Sequence, residues 1–553
     1  MVCAMPTTKT LQIRNARLYD GDGVQPVSAD LVVSGSRVAA VLPAGSPVAT
    51  DATLDADGLC AAPGFVDIHS HSDGALAHPA AAELLEPFLL QGITTQIIGN
   101  CGLGVAPAPR HRRADLAAFM ALIIPPGMDF IWETFDEYME TLERNPLPLN
   151  VAALAPHGSL RCAVSGTEPG PAKEANLDAM AQELRAALAA GAFGLSAGLI
   201  YPPGMWADTD ELVVLCDEVA AVDGVFGCHV RGSSELALDA ERELLEIGTR
   251  TGVRLQHSHH EAFGPGYWHL AHETLRMEDE ARAQGIDIAS DVVPYHAVNT
   301  TLLAVFPPWS LAGGVGELCN RLADPAQLAR IDDEIHNRVP TWPPWHDGWA
   351  HNLVRAGGWD NIVPLHARSE SHGGWLGRSL TDTAAAESKS PLACAVELIA
   401  ASEGDVMARY HGISGAPGDE GTLRELLVHE HHSIGVDVIL KGEGVAHPGG
   451  FGAMPRVLGH YAREAGWLDL GKAIRKITSM PAARIGVPRG RLGAGTAADI
   501  VLFDPDTVDE RGTYSRPDRR PGGIEHVFIN GTHVVDRGQL LRRDAGQLLR
   551  RGA

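Results

Sequence analysis

Cationic side chains are in short supply in this 553-residue chain: 44 Lys and Arg stand against 69 Asp and Glu, a formal net charge of −25. A surface of that sign repels nucleic-acid backbones and anionic membranes, so neither is expected as a partner. Long apolar runs are missing as well, and none approaches the ~18 residues that cross a bilayer. The opening Met1-Val2-Cys3-Ala4-Met5-Pro6 lacks a basic segment leading into an apolar one, so a cytoplasmic location is expected. Cysteine is sparse at eight residues with no CxxC pair, which argues against a disulfide framework. Most cysteines therefore read as small buried hydrophobes, with Cys101 the exception. No internal repeat or low-complexity tract stands out.

What the chain does have is bulk. It is 45% hydrophobic, with 61 Gly and 36 Pro, enough for a large catalytic domain and a smaller one. The composition is that of a protein acting on a small molecule, and it leaves room for a homo-oligomer.

Both ends have a β texture. Short apolar stretches such as Leu31-Val32-Val33 and Val38 to Leu42 are broken by Asp-Gly, Gly-Ser and Pro turns, and the pattern returns in Asp499 to Pro505, Ile524 to Gly531 and Val534 to Asp536. Residues 1–61 and 479–553 are therefore expected to form one small β-sandwich domain from the two chain ends. Between them, over 62–478, strand-like runs alternate with amphipathic helical ones such as Asn176 to Ala190. Phe65 to Ile68, Thr94 to Ile98, Asn150 to Leu154, Phe193 to Ser196, Val225 to His229, Arg254 to His257, Asp287 to Asp291 and Asp437 to Leu440 make eight candidate strands. The expectation is an α/β fold, a TIM-type (β/α)8 barrel whose strand ends carry the active site. The stretch from about 306 to 392, with Thr341-Trp342-Pro343-Pro344-Trp345-His346, does not fit a βα unit and reads as an inserted subdomain.

In Pro63-Gly64-Phe65-Val66-Asp67-Ile68-His69-Ser70-His71-Ser72-Asp73, two histidines sit two residues apart where a buried strand runs out. Side chains alternate along a strand, so His69 and His71 point the same way, and paired neutral imidazoles suit a divalent transition metal. A lone His-x-His is more often an ordinary strand end. Here, however, other polar clusters fall at the same end of successive strands: Gly99-Asn100-Cys101-Gly102, Cys228-His229-Val230-Arg231, Gln256-His257-Ser258-His259-His260-Glu261 and Ser290-Asp291 with Pro294-Tyr295.

These segments, with Gly194-Leu195-Ser196-Ala197-Gly198-Leu199-Ile200-Tyr201-Pro202-Pro203 and the C-terminal Thr478-Ser479-Met480-Pro481-Ala482, resemble the N-acyl-D-amino-acid deacylases (D-aminoacylases) of the amidohydrolase superfamily. The resemblance covers nearly the whole chain. It implies a zinc-dependent hydrolase of carbon–nitrogen bonds, with Cys101, His229 and His259 holding one tight Zn²⁺ and His69 and His71 available to a second, weaker position. His257 and His260 remain rivals of His259. The superfamily's bridging lysine has no counterpart, and Cys101 takes its place.

The departures concern the acid and the pocket. Where the family has Ser-Asp-Gly after the last strand, this chain has Lys441-Gly442-Glu443-Gly444, which makes Glu443 the expected general acid and base. Tyr201 is expected to bind substrate and to donate to the oxyanion. Where the family binds a substrate carboxylate with Lys, Ser and Arg, this chain has Glu261, Asn299 and Gly449. Such a pocket should reject a carboxylate. Tyr295 is also placed in it, Arg231 is a candidate anchor or an orienting group, and His157 and Asp291 read as supports. The sequence thus implies an amidohydrolase of altered substrate range. A cyclase or lyase on the same scaffold, or a silent binding protein, would be the other readings.

Overall fold

The computed structural model describes residues 9–342 and 348–552. The opening hexapeptide and Pro343-Pro344-Trp345-His346 of the Trp-rich stretch lie outside the described residues.

The two chain ends meet in one nine-stranded sheet. Its order is Gln539–Leu540, Thr532–Asp536, Ile524–Ile529, Ile500–Phe503, Cys60–Pro63, Thr10–Leu18, Val27–Ser34 and Arg37–Pro43, with Ala52–Asp55 paired to Thr10–Leu18. The seam is the antiparallel pair Cys60–Pro63 with Ile500–Phe503, whose residues are all fully buried. Ile13, Leu31, Val33, Ile500 and Phe528 pack one face.

Parallel strands form the central body. Phe65–Asp67, Ile93–Ile98 and Asn150–Ala153 pair in one run; Ala155–Pro156, Gly194–Gly198, Val225–His229, Arg254–His257, Ile288–Val292 and His432–Ile434 pair in a second. Intervening helices such as Glu174–Ala189 and Ala237–Thr251 cover the outside. The barrel closes between its last and first strands through Asp437 N–H to His69 O at 2.9 Å and Val436 N–H to an Asp67 carboxylate oxygen at 2.9 Å.

The eighth strand corrects the sequence reading. It is His432–Ile434, and Asp437 to Leu440 is buried irregular backbone. At Gly435 an added Cβ would lie 2.7 Å from His69 Cβ, so the chain slides against the first strand there and leaves the pleat. Asp437 then adopts φ 48°, a left-handed conformation no strand contains. An apolar run cannot announce such an exit, because burial in a strand and burial in a loop leave the same composition.

The excursion before the last strand has an antiparallel sheet, with Val406–His411 between Ala297–Thr301 and Ile362–Ala367. Two of those strands lie outside 306–392, so the subdomain is wider than the sequence suggested. Its own core includes Leu302, Phe306, Leu318, Ile335, Leu398 and Tyr410.

Candidate functional site

Each polar cluster expected at a strand end is found at the same end of the barrel, and five of its side chains converge. Cys101 Sγ lies 3.2 Å from His69 Nε2, 3.5 Å from His259 Nε2 and 3.8 Å from His229 Nδ1. His69, His71 and Cys101 form one cluster of mutually close ligand atoms, and Cys101, His229 and His259 another. The backbone is bent to achieve this: Cys101 has φ 53° and His259 φ 37°, conformations costly for a residue with a Cβ. The Cys101 turn packs so tightly on the fourth strand that a Cβ at Gly198 would stand 2.0 Å from Cys101 O. Ser196 of the fourth strand supports the Cys101 turn, its hydroxyl accepting from Gly102 N–H at 2.9 Å and donating to Gly99 O.

Asp291 orients two of the histidines. One carboxylate oxygen lies 3.1 Å from His69 Nδ1 and accepts the His259 backbone N–H at 2.9 Å, while the other accepts from Gln256 at 2.8 Å. A carboxylate behind a ligating imidazole fixes its tautomer and ring. Burial opposes ionisation of the Cys101 thiol, but His69 and His259 outweigh it and hold its pKa well below the usual thiol value. A thiolate flanked by imidazoles, with His71 Nδ1 buried and without a protein partner, is a donor set that fits a divalent transition metal.

The rivals of His259 belong elsewhere. His257 and His260 stack on each other at 4.4 Å and share the carboxylate of Glu278 at 3.0 and 3.2 Å, away from Cys101. His157 is bound to Glu211 at 2.9 Å and supports the helix it begins.

Glu443 does not reach the cluster. Its side chain is 49% exposed and lies 3.3 Å from His366 Nδ1, in a separate groove with Lys441. The carboxylate at the cluster is Asp437, 3.1 Å from His71 Nε2 and 3.6 Å from His69 Nε2. Burial pushes its pKa up, but His69, His71 and His259 more than reverse this, so it stays below the usual carboxylate range and ionised. Sequence reasoning missed it because the last strand, His432–Ile434, was placed at Asp437 to Leu440, five residues too late at its start. Asp437 lies in Gly435-Val436-Asp437-Val438, directly after the last strand.

A narrow cavity opens over the cluster. Tyr201, Glu261 and Asn299 line it, as expected. Burial raises the Tyr201 pKa well above the usual phenol value, so the hydroxyl keeps its proton, and it accepts from Thr300 Oγ1 at 2.9 Å. Burial likewise raises Glu261 to about 7 despite His259. Asn299 donates to Met407 Sδ at 3.1 Å, and its carbonyl oxygen has no protein partner.

Two expected substrate residues are displaced. Tyr295 turns away and donates to Glu510 at 2.6 Å, because the acid of a distant loop reaches back under it. Arg231 is clasped by both oxygens of Glu243 at 2.8 and 2.9 Å and donates to the carbonyls of Met205 and Ala207 at 3.0 Å, so it orients a loop instead of facing the cavity. No Lys or Arg lines the cavity among the described residues. Arg409, the register partner of Asn299, is turned to His411 at 2.8 Å and the ring of Tyr514. His351, which no sequence pattern marked, comes from the excursion and lines the cavity with both ring nitrogens buried and unpartnered.

No protein-family model matches the chain. It is 33% identical to N-acyl-D-glutamate deacylase of Alcaligenes xylosoxydans xylosoxydans over 543 residues, 97% of each chain. It is 31% identical to D-aminoacylase of the same organism over 98% of each. The solved N-acyl-D-glutamate deacylase of Bordetella bronchiseptica, complexed with zinc and a phosphonate mimic of the tetrahedral intermediate, superposes with TM-score 0.81 at 30% identity, covering 99% of this chain and all of that one.

Proposed function

The chain belongs to the N-acyl-D-amino-acid deacylase (D-aminoacylase) family of the amidohydrolase superfamily and is a metal-dependent hydrolase of non-peptide carbon–nitrogen bonds in small molecules; we propose that its substrate is an N-acylated amine without a free carboxylate. The observation that carries the reading is the meeting of His69, His71, Cys101, His229, His259 and Asp437 at the floor of one cavity, whose walls offer Glu261 where a carboxylate would need a cation.

Cys101, His229 and His259 would hold one tight Zn²⁺, and His69 and His71 a second, weaker position. A zinc ion so bound supplies Lewis acidity toward the scissile carbonyl and a water of lowered pKa. Asp437, ionised and facing the ligands, accepts the proton of the attacking water and returns it to the leaving nitrogen. Tyr201 keeps its proton and presents a donor to the carbonyl oxygen as charge develops there. Asp291 holds His69 and His259 in register throughout.

On the other side of the scissile bond, a substrate carboxylate would face the buried acid of Glu261 with no guanidinium or ammonium from the described residues in the lining, an expensive arrangement. An uncharged or cationic group would be accepted by Glu261 and Asn299. The acidic surface and the scattered cysteines favour a cytoplasmic setting.

The test is elemental analysis of the purified protein, followed by assay on N-acyl-D-amino acids and on the matching N-acyl-D-amino-acid amides. About one tightly held zinc per chain and preferential turnover of the amides are expected. Faster turnover of the free acids would overturn the pocket reading and leave the hydrolase intact.

A further inference from the structure

The helix Leu270–Ala283 on the outside of the barrel carries a fully buried carboxylate, Glu278, which is not part of the cavity lining. Burying a charge is costly unless several groups bind it, and those that bind this one come from three neighbouring strands. His257 Nδ1 of the sixth strand lies 3.0 Å from one oxygen, Ser290 Oγ of the seventh donates to both at 2.8 and 2.9 Å, and His432 Nε2 of the last lies 3.7 Å from the other. His257 pairs in register with Ser290 and Ser290 with His432, so the three stand side by side on one level and one face of the sheet. Glu278 is thus a clasp across three parallel strands, with Arg282 Nη1 of its own helix donating to it at 3.2 Å.

Each of those strands leads to a residue of the metal cluster or its support. His259 follows His257 by two residues, Asp291 follows Ser290 by one, and Asp437 follows His432 by five. The sixth strand has four residues and the last three, so few ladder hydrogen bonds fix where their ends point. His259 is the residue that most needs fixing, because its φ of 37° persists only where the surroundings over-determine it. Glu278 holds the chain on both sides of it. His257 precedes it, and His260 follows it with Nδ1 3.2 Å from the carboxylate and Nε2 2.8 Å from Thr274 Oγ1 of the same helix. Between these anchors the His259 N–H donates to an Asp291 carboxylate oxygen at 2.9 Å and the His260 N–H to Asp291 O at 2.7 Å.

We propose, resting on the metal-dependent hydrolase reading above, that Glu278 is a positioning residue for the metal cluster: by clasping the sixth, seventh and last strands it holds His259 in its left-handed turn against Asp291 and so sets how tightly the cluster keeps its ion. Stability alone gives little reason for such a group, since a buried ionic network can often be replaced by packed apolar side chains without loss. Fixing one arrangement of three strand ends does give a reason.

The experiment separates positioning from general destabilisation by comparing Glu278→Gln with Glu211→Gln. Glu211 is a buried carboxylate of another outer helix, Thr209–Ala220, that binds His157 and Arg161 and none of these three strands. Zinc affinity is measured by chelator competition, the cobalt(II) form by its absorption spectrum and folding by thermal melts, and metal-free wild type and Glu278→Gln are crystallised. Both variants should melt below wild type. Only Glu278→Gln should lose zinc affinity, by at least about tenfold, the low end of what losing a group behind a metal ligand costs. Its cobalt d–d bands should shift, and in its crystals His259 should leave the left-handed region. Where Glu278→Gln does not fold, Ser290→Ala, which takes one donor from the clasp, decides in its place with a loss of about threefold or more.

Unchanged zinc affinity in Glu278→Gln would overturn the positioning role and leave the metal reading standing. An equal loss in Glu211→Gln would also overturn it, since the effect would then follow stability. A wild-type protein that takes up neither zinc nor cobalt would overturn the metal reading instead. A relaxed His259 in the variant's crystals would then still uphold the clasp, and an unchanged one would overturn it.

Discussion

A carboxylate oxygen of Asp437 lies 3.1 Å from Nε2 of His71, the second histidine of the His-x-His pair. Nearly 370 residues separate them in sequence, and they meet only because the chain after the last barrel strand folds back across the first. A carboxylate there is within reach of any water held by the cluster, whereas Glu443, six residues further on, bonds to His366 in another groove. Asp437→Asn should therefore lower kcat by about 10²- to 10⁴-fold, the range for loss of a general acid and base, while the metal content is kept. Glu443→Gln should stay within about twofold of wild type. Steady-state kinetics with elemental analysis on both variants checks this, and a large loss from Glu443→Gln alone would return the role to that residue.

Cys101 is the hub of the cluster, in contact with His69, His229 and His259 at once. Removing its thiolate takes the one negative ligand from among the imidazoles. Cys101→Ala should fall well below one metal per chain after dialysis, whereas His71→Ala should retain the tight ion. Cobalt(II) substitution adds a direct signature: a thiolate-to-metal charge-transfer band in wild type, retained in His71→Ala and absent in Cys101→Ala. A wild-type cobalt protein without that band would remove Cys101 from the ligand set.

The candidate ligands were legible in sequence because each sits at an ordered strand end or within four residues after it, where burial gives way to polar side chains. His69 and His71 could be read from pleat geometry, the clustering of polar runs at one end of the barrel pointed to the segments holding His229 and His259, and the family resemblance singled out those two residues. Asp437 could not be read this way, since the strand before it is three residues long and the segment holding it is apolar but irregular. Tyr295 and Arg231 were misplaced for another reason. Their sequence neighbours belong to the site, but Glu510 and Glu243, which capture them, approach from other elements, and one sequence carries no sign of such long-range pairing. His351 rides on the inserted subdomain, whose docking against Gly232 is a tertiary fact with no periodic signature.

The pH dependence of stability should carry the mark of Glu211. Burial opposes its charge, but hydrogen bonding and charge from His157 and Arg161 win, and its pKa falls to about 2. Because this value lies below that of an unfolded glutamate, roughly 4.3, the stabilisation is present above about pH 4.3 and is lost as pH falls through about 2. The shift corresponds to about 3 kcal/mol. Glu211→Gln should therefore melt well below wild type at pH 7, with the gap narrowing as pH drops from about 4 to 2. A gap that stays constant across that range would mean the charge of Glu211 contributes nothing.

Glu261 offers the sharpest test of substrate class, because a single charge reversal should move preference in a stated direction. It lies in the cavity, buried, with Ser233 Oγ at 3.4 Å, and His259 two residues before it lowers its pKa against the effect of burial. Glu261→Lys removes the acid that a substrate carboxylate would meet and puts an ammonium in the same wall. The ratio of kcat/KM for N-acyl-D-amino acids over their amides should rise at least about tenfold, equivalent to about 1.4 kcal/mol of differential transition-state stabilisation. The lysine is longer and more strongly hydrated than the acid it replaces, so absolute rates should fall for both substrates, and the ratio is the quantity to read. Glu261→Gln separates the two contributions: it should give a smaller rise by removing repulsion alone. If neither variant changes the ratio, Glu261 does not face the substrate's polar group, and discrimination against carboxylates must come from another part of the cavity.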